Sequence, residues 1–407
     1  MSAEQVAQHQ ATIFDGWKSI GIALYMTLVG YGVLVGIPVI STAWVNLLGF
    51  TEVQVGRVAG ADLGGLSVGA VVTSLIIAKM NRRVLVLIAA GLAILANGLC
   101  IFTVVYEQVL WLRLLAGFGS GMYTSVAVAS LGATSKPARA FNMMLFAFAF
   151  SQALEMQVLP QLSMNGIYLV FIGCFVVSLF FISWVPPRAV EKGLDIEIDA
   201  EDEKGQHHLE HRHVPAYVPW LVLIAIVFTY INIGAYWTYI ELASADSTIS
   251  SASSDWVGRV LVWASFLSIA GCLFATILSN RYGLARPLLI TLITQSIIVS
   301  MLAMGITNTN ILVSVFMFNF LWIFIDVYQM STIANVDHSG KFASLIVGAQ
   351  GLGQIIGPNA AAMTLAAGYG YRGVFIMCAC ATLTGMCIYA YMYIMLRRTI
   401  PALADSS

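Results

Sequence analysis

Charge is scarce in this chain. Asp, Glu, Lys and Arg together make up 10% of its 407 residues, where soluble domains carry about 25%. So little charge cannot coat a water-soluble domain of this size. No run of Lys and Arg is dense enough to suggest nucleic acid, and the net charge is −1. No phosphate-binding Gly-rich loop ending in Lys is present, which argues against a primary pump. A nucleophile elbow and a paired catalytic His and acid are also missing, so no enzyme is expected. The six cysteines (Cys100, Cys174, Cys272, Cys378, Cys380, Cys387) all fall in apolar runs without metal-ligand spacing. They read as buried thiols, and neither a metal nor a cofactor is expected. No loop carries Asn-x-Ser/Thr, which fits a bacterial inner membrane.

What the chain has in abundance is apolar length. Hydrophobic residues are 59% of it, and the mean hydropathy is +0.86. A helix needs about 20 apolar residues to cross a bilayer. Spans are expected near 19–43, 53–79, 84–105, 110–134, 140–160 and 166–185. A second set is expected near 217–242, 256–279, 287–306, 310–334, 342–367 and 373–396. The fold class is thus an all-α polytopic membrane protein of twelve transmembrane helices. An N-terminal six-helix bundle over 1–185 and a C-terminal one over 217–407 flank a linker over 186–216. The polar first 18 residues precede a run too long for a signal-peptide core, so that run is expected to stay.

The few charges report orientation. Of 19 Lys and Arg residues, 15 fall on one side: Lys18, Lys79, Arg82, Arg83, Lys136, Arg139, Arg188, Lys192, Lys204, Arg212, Arg281, Arg286, Lys341, Arg397 and Arg398. By the positive-inside rule, that side and both termini are cytoplasmic. The linker holds an acidic run and then His207, His208, His211 and His213. It reads as a solvated connection rather than a metal site.

The second span opens Val55-Gly56-Arg57-Val58 and the eighth opens Val257-Gly258-Arg259-Val260, an offset of 202 residues. Thr51 with Gln54, and Ser254 with Asp255, give each a helix-start signal. The same four residues at the same place in each half indicate a duplicated six-helix unit. Two such units suggest alternating access around a site near mid-membrane.

At this point the chain resembles the major facilitator superfamily over nearly its full length. The loop after the second span, Ala78-Lys79-Met80-Asn81-Arg82-Arg83, is a degenerate copy of that family's Gly-x-x-x-Asp-Arg-x-Gly-Arg-Arg pattern. The half-repeat Asn280-Arg281-Tyr282-Gly283-Leu284-Ala285-Arg286 is closer, with Asn280 in place of Asp. The resemblance implies a cytoplasmic gate at Asn280, Arg281, Gly283 and Arg286. The fourth span carries Arg113-x-x-x-Gly117-x-Gly119-x-Gly121, matching a family pattern tied to proton coupling. The antiporter signature of the fifth span is missing, which weakens assignment as a drug/proton efflux antiporter. Glu155 stands where the repeat places Gly357. The resemblance also makes the first, fourth, seventh and tenth helices cavity-lining.

Within the spans, ionisable residues are functional candidates, because their burial must be offset by pairing or protonation. Asp62, Glu155 and Asp326 are the acids, and Arg113 is the base. Asp62 is a candidate partner for Arg113. Asn319, Trp322, Asp326 and Gln329 share one helical face. Thr229, Asn232, Tyr236 and Tyr239 form a similar stripe on the seventh span. Tyr230, Tyr236, Trp322 and Tyr328 supply an aromatic lining, and Gln350 and Gln354 are further candidates. Interhelical hydrogen bonding is the alternative role for both stripes. Arg57, Arg259 and Glu241 read as outer anchors or gate contacts.

These features predict a monomeric secondary transporter for a small organic solute, with H+ as coupling ion. A neutral or cationic solute is favoured by the excess of buried acid, and Arg113 leaves an organic anion open. A non-transporting sensor with a transporter-derived fold is the rival class, and the short tails argue against it.

Overall fold

A computed structural model describes residues 13–77, 79–134, 137–187, 217–282, 285–336 and 341–399. The proposed linker, from 188 to 216, lies outside the described residues. Fourteen α-helices make twelve crossings. The first crossing is split into α1 (Trp17–Gly30) and α2 (Gly32–Leu48). The break falls at Tyr31, between Gly30 and Gly32, where paired glycines hold a helix poorly. The following crossings are α3 (Glu52–Ile76), α4 (Arg82–Cys100), α5 (Tyr106–Gly132), α6 (Pro137–Val158) and α7 (Met164–Phe180). The second half opens with α8 (Tyr217–Ala245). Its second crossing is split into α9 (Ser254–Ala264) and α10 (Leu267–Tyr282). At that break the Ser265 hydroxyl donates to the Leu261 carbonyl at 3.1 Å, a back-bond that bends helices. The remainder are α11 (Ala285–Met301), α12 (Asn308–Val336), α13 (Lys341–Ala366) and α14 (Gly370–Thr399).

Ten helical stretches are apolar and long enough to cross a bilayer among the described residues. They leave out α7, an apolar helix of 17 residues, and α13. All twelve expected spans coincide with described helices within a few residues, apart from the two breaks, which hydropathy alone does not show. Thr51 and Gln54 form the anticipated reciprocal cap at the start of α3, with bonds of 3.2 and 3.0 Å. The Ser254–Asp255 signal is shifted: Ser253 takes the cap position of α9, without a side-chain cap bond.

The loops carrying most of the Lys and Arg join the C-terminal end of α3 to α4, α5 to α6, and α7 onward. We call that end of the bundle the basic-rich face and the other, where α3 begins, the basic-poor face. In the first half, α3 and α5 touch backbone to backbone. A Cβ at Gly117 would overlap the Asp62 carbonyl, and one at Gly65 would overlap the Leu114 carbonyl. Lipid offers no hydrophobic drive for helix association, so such close packing is the main attraction available.

An ion pair is locked into that contact. Arg113 of α5 donates through Nε to Asp62 Oδ2 at 2.6 Å, and its Nη2 also meets that oxygen. Its Nη1 donates to Asn97 Oδ1 of α4 at 2.7 Å. The guanidinium sits over the ring of Tyr168 of α7, 5.8 Å from the centroid. Arg113 and Asp62 are 1% and 2% exposed, so four helices are tied through one charge pair inside the first half.

The halves meet through α3 against α13 and through α2 against α8. Gly56 faces the Tyr239 hydroxyl and the Pro358 carbonyl, Gly60 faces Asn359, and Gly64 faces Ile355. Tyr239 donates its hydroxyl to the Glu52 carbonyl at 2.7 Å. Trp237 Nε1 donates to the Val35 carbonyl of α2 at 3.3 Å. These contacts close the basic-poor face. The repeated motif thus has two fates: Gly56 is in tight contact, whereas Gly258 has nothing within 4 Å of a built Cβ.

Two outcomes are expected. Asp62→Leu leaves Arg113 buried without its partner and destabilises the protein by about 3–5 kcal/mol. The double variant Asp62→Leu/Arg113→Met recovers most of that loss, as read by thermal unfolding in detergent. Gly56→Leu collides with Tyr239 and α13 and holds the basic-poor face open. Labelling of a Val35→Cys probe by an impermeant maleimide from that face then rises about tenfold or more, corresponding to a population shift above 1.4 kcal/mol.

Candidate functional site

A cavity of ≈ 320 Å³ lies between the halves. Its mouth is near Ser74, Val128 and Met330, in the last turns of α3 and α5 and toward the end of α12, so it extends to the basic-rich face. At the other end Trp322 lines it, backed by Trp237 and Phe318. Trp237 and Phe318 are parallel at 6.0 Å, and Trp322 meets both edge-on. The Trp237–Val35 hydrogen bond anchors this cluster to the other half.

The site is built by helix breaks and periodicity. The break before α2 places Tyr31 in the cavity wall, with Phe148 of α6 packed edge-on at 5.5 Å. Helical spacing on α12 puts Asn319, Trp322 and Asp326 on one face, and all three line the cavity. Gln350 and Gln354, one turn apart on α13, line it too. From α8 comes Tyr230, whose hydroxyl is 2.7 and 2.8 Å from the two Asp326 carboxylate oxygens. One proton cannot be donated fully to both, so the hydroxyl bridges the carboxylate. Gln152 Nε2 of α6 approaches Asn319 Oδ1 at 3.4 Å, a polar contact across the two halves. Among the described residues, no Lys or Arg lines the cavity. The lining offers one carboxylate, several amides and several ring faces.

Other sequence candidates sit elsewhere. Asp62 and Arg113 are paired inside the first half and do not reach the cavity. Glu155 lies one turn beyond Gln152, against Gly32 and Gly36 of α2, with Ser151 Oγ 3.4 Å from Oε1. Its repeat counterpart Gly357 packs on α8 at Ile231 in the same way. Of the stripe on α8, Tyr239 reaches α3 of the first half, whereas Thr229 and Tyr236 face the interior of the second: Tyr236 shares a 2.8 Å hydrogen bond with Ser314, and Thr229 accepts one from Gln329 at 3.0 Å. Asn232 is buried there, and both its amide atoms are without a hydrogen-bond partner. Tyr328 is fully buried as well.

Of the gate candidates, Gly283 lies outside the described residues, as do the side chains of Asn280 and Arg281 at the end of α10. Arg286 is exposed on the first turn of α11. Sequence reasoning missed Tyr31, Phe148 and Gln152 as lining residues. The glycines flanking Tyr31 were the available signal for a break that turns it inward.

No curated relative matches the chain in sequence. Among solved structures, the nucleoside transporter NupG matches with a TM-score of 0.70 and 11% identity, over 92% of this chain and 98% of that one. A mutant of the same transporter matches with a TM-score of 0.61, the same identity and the same coverage. At this identity the likeness concerns the fold. The family model of the Major Facilitator Superfamily matches residues 20–358. With two six-helix halves, glycine-mediated helix contacts and a central cavity between them, this chain belongs to the Major Facilitator Superfamily.

Proposed function

We propose that this transporter moves a small, neutral or cationic organic solute through the central cavity by alternating access, coupled to protons. The observation that carries this reading is the Asp326–Tyr230 pair, placed with Trp322 and Asn319 in a cavity whose described lining has no Lys or Arg. A lone carboxylate in that setting is suited to take up a cationic group, or a proton, in each cycle. Arg113 is committed to Asp62 and Asn97, so the geometry gives an organic anion no basic partner.

The amides of Gln152, Asn319, Gln350 and Gln354 both donate and accept. With the rings of Tyr31, Phe148, Tyr230 and Trp322 they suit a solute having a flat ring and several hydroxyl or amide groups. Nucleosides meet that description, and the solved relative NupG is a nucleoside transporter. They are the first solutes to test.

The charge asymmetry of the loops supports a cytoplasmic basic-rich face and two cytoplasmic termini. The conformation described here is then the one open to the cytoplasm. Opening on the other face requires the glycine contacts of α3 with α13 and the Tyr239 and Trp237 hydrogen bonds to separate. A bundle pivoting on such a seam needs no further hinge.

Reconstituted in liposomes, the full chain is expected to accumulate radiolabelled uridine or adenosine when a proton gradient is imposed, and to lose accumulation on adding a protonophore. Asp326→Asn is expected to slow transport by about tenfold or more, the loss of a charged hydrogen-bonding partner. Equal flux with and without the gradient would remove proton coupling. Undiminished accumulation by Asp326→Asn would remove this residue from the site. If no nucleoside is carried but a cationic amine is, the charge preference stands and the flat-ring, polyol reading falls.

A further inference from the structure

A second cavity, ≈ 300 Å³ in volume, opens at the basic-poor face. It shares no lining residue with the central one. Its walls come from α2, from the short turn after α6, from α8 and from α9, so both halves build it. The Trp237–Val35 hydrogen bond, one turn deeper on α8 and α2, stands between the two cavities.

Glu241 is the one charged residue in this lining. Its Oε2 is buried and has no hydrogen-bond partner, while the residue as a whole is only partly buried. A carboxylate with no balancing cation beside it is costly, and a cationic ligand against its accessible side relieves that cost. Thr42 faces the carboxylate, but its one proton is shared with the Pro38 carbonyl at 3.2 Å, and Ser244 donates to the Ile240 carbonyl at 2.7 Å. The polar part of the site is this carboxylate with the Thr42, Ser244 and Ser254 hydroxyls and the Asn46 amide, and no Lys or Arg balances its charge among the described lining residues. The remaining wall, including Val39, Leu159 and Val257, is apolar.

We propose that this cavity is a binding site for a small organic ammonium ion, separate from the transport cavity. An ammonium group supplies three donors and a positive charge, and its alkyl part suits the apolar wall. A bare metal ion is a poorer match. It requires a cage of about six or more oxygens, and the volume is that of a small-molecule pocket. Because α2 belongs to one half and α8 and α9 to the other, the site exists only while the basic-poor face is closed. Its occupant therefore favours this conformation and slows the transport cycle.

The test is thermal unfolding of the purified full chain titrated with ethylammonium chloride. Sodium chloride at equal ionic strength and ethanol serve as controls. A ligand selective for the folded state raises the Tm by mass action. The expected result is a saturable rise with ethylammonium alone, retained in Asp326→Asn. In Glu241→Gln its midpoint moves to about tenfold higher concentration or more. Val257→Phe, which fills the cavity and keeps the carboxylate, is expected to abolish the rise, and it decides the matter if Glu241→Gln does not fold. A rise that survives both Glu241→Gln and Val257→Phe but vanishes in Asp326→Asn places the ion in the central cavity and overturns the proposal. So does a rise matched by sodium chloride or ethanol, or no rise at all.

Discussion

Glycines on two flanks of α3 let it meet its neighbours at backbone distance, and much of the architecture rests on that. Gly65, together with Gly117 of α5, brings α3 against α5, and Gly56, Gly60 and Gly64 bring it against α13 of the other half. In lipid, an apolar side chain gains little by leaving one hydrocarbon surface for another. Contact must then come from close backbone approach and from polar groups buried together. One helix supplies both: the intra-half contact that encloses Asp62 and Arg113, and the inter-half contact that seals the basic-poor face. The first must be permanent, because it surrounds a charge pair. The second must be reversible, because a transporter alternates. Glycine packing sealed by single hydrogen bonds from Tyr239 and Trp237 suits a contact that is made and broken.

The same logic divides the buried charges between two kinds of work. The Arg113 guanidinium is satisfied on every side that the structure describes, by Asp62, Asn97 and the Tyr168 ring. It holds helices of one half together and has no free donor aimed at the cavity. Asp326 is the reverse. Its neighbours are a phenol, an indole and amides, none carrying a compensating charge. A group left one charge short is the one able to respond to a solute or a proton. Glu241 has a similar shortfall at the other end of the molecule.

Much of this was legible in the sequence. Hydropathy and the scarcity of charge gave twelve crossings, and the repeated Val-Gly-Arg-Val gave the duplication. On α12 the three-four spacing placed Asn319, Trp322 and Asp326 on one face, and that face lines the cavity. The same reasoning on α8 picked a stripe that faces inward too, but Thr229 and Tyr236 face the core of their own half and Tyr239 faces α3 of the other. A helix this deeply buried is surrounded by protein, and periodicity identifies a polar face without telling which interior it meets. Tyr230, on another side of α8, is the residue that reaches Asp326.

The amino-acid sequence by itself determined that this chain spans a bilayer as a bundle of long apolar helices, because a hydrocarbon core admits a backbone only where its polar groups are paired internally and penalises each stray charge. It also named the ionisable residues that had to find partners. The partners themselves came only with tertiary structure: Asp62 to Arg113, Tyr230 to Asp326, and none for one oxygen of Glu241. Those pairings join residues 51 and 96 positions apart. They depend on which helices lie side by side and how each is rotated. Local spacing carries no record of either.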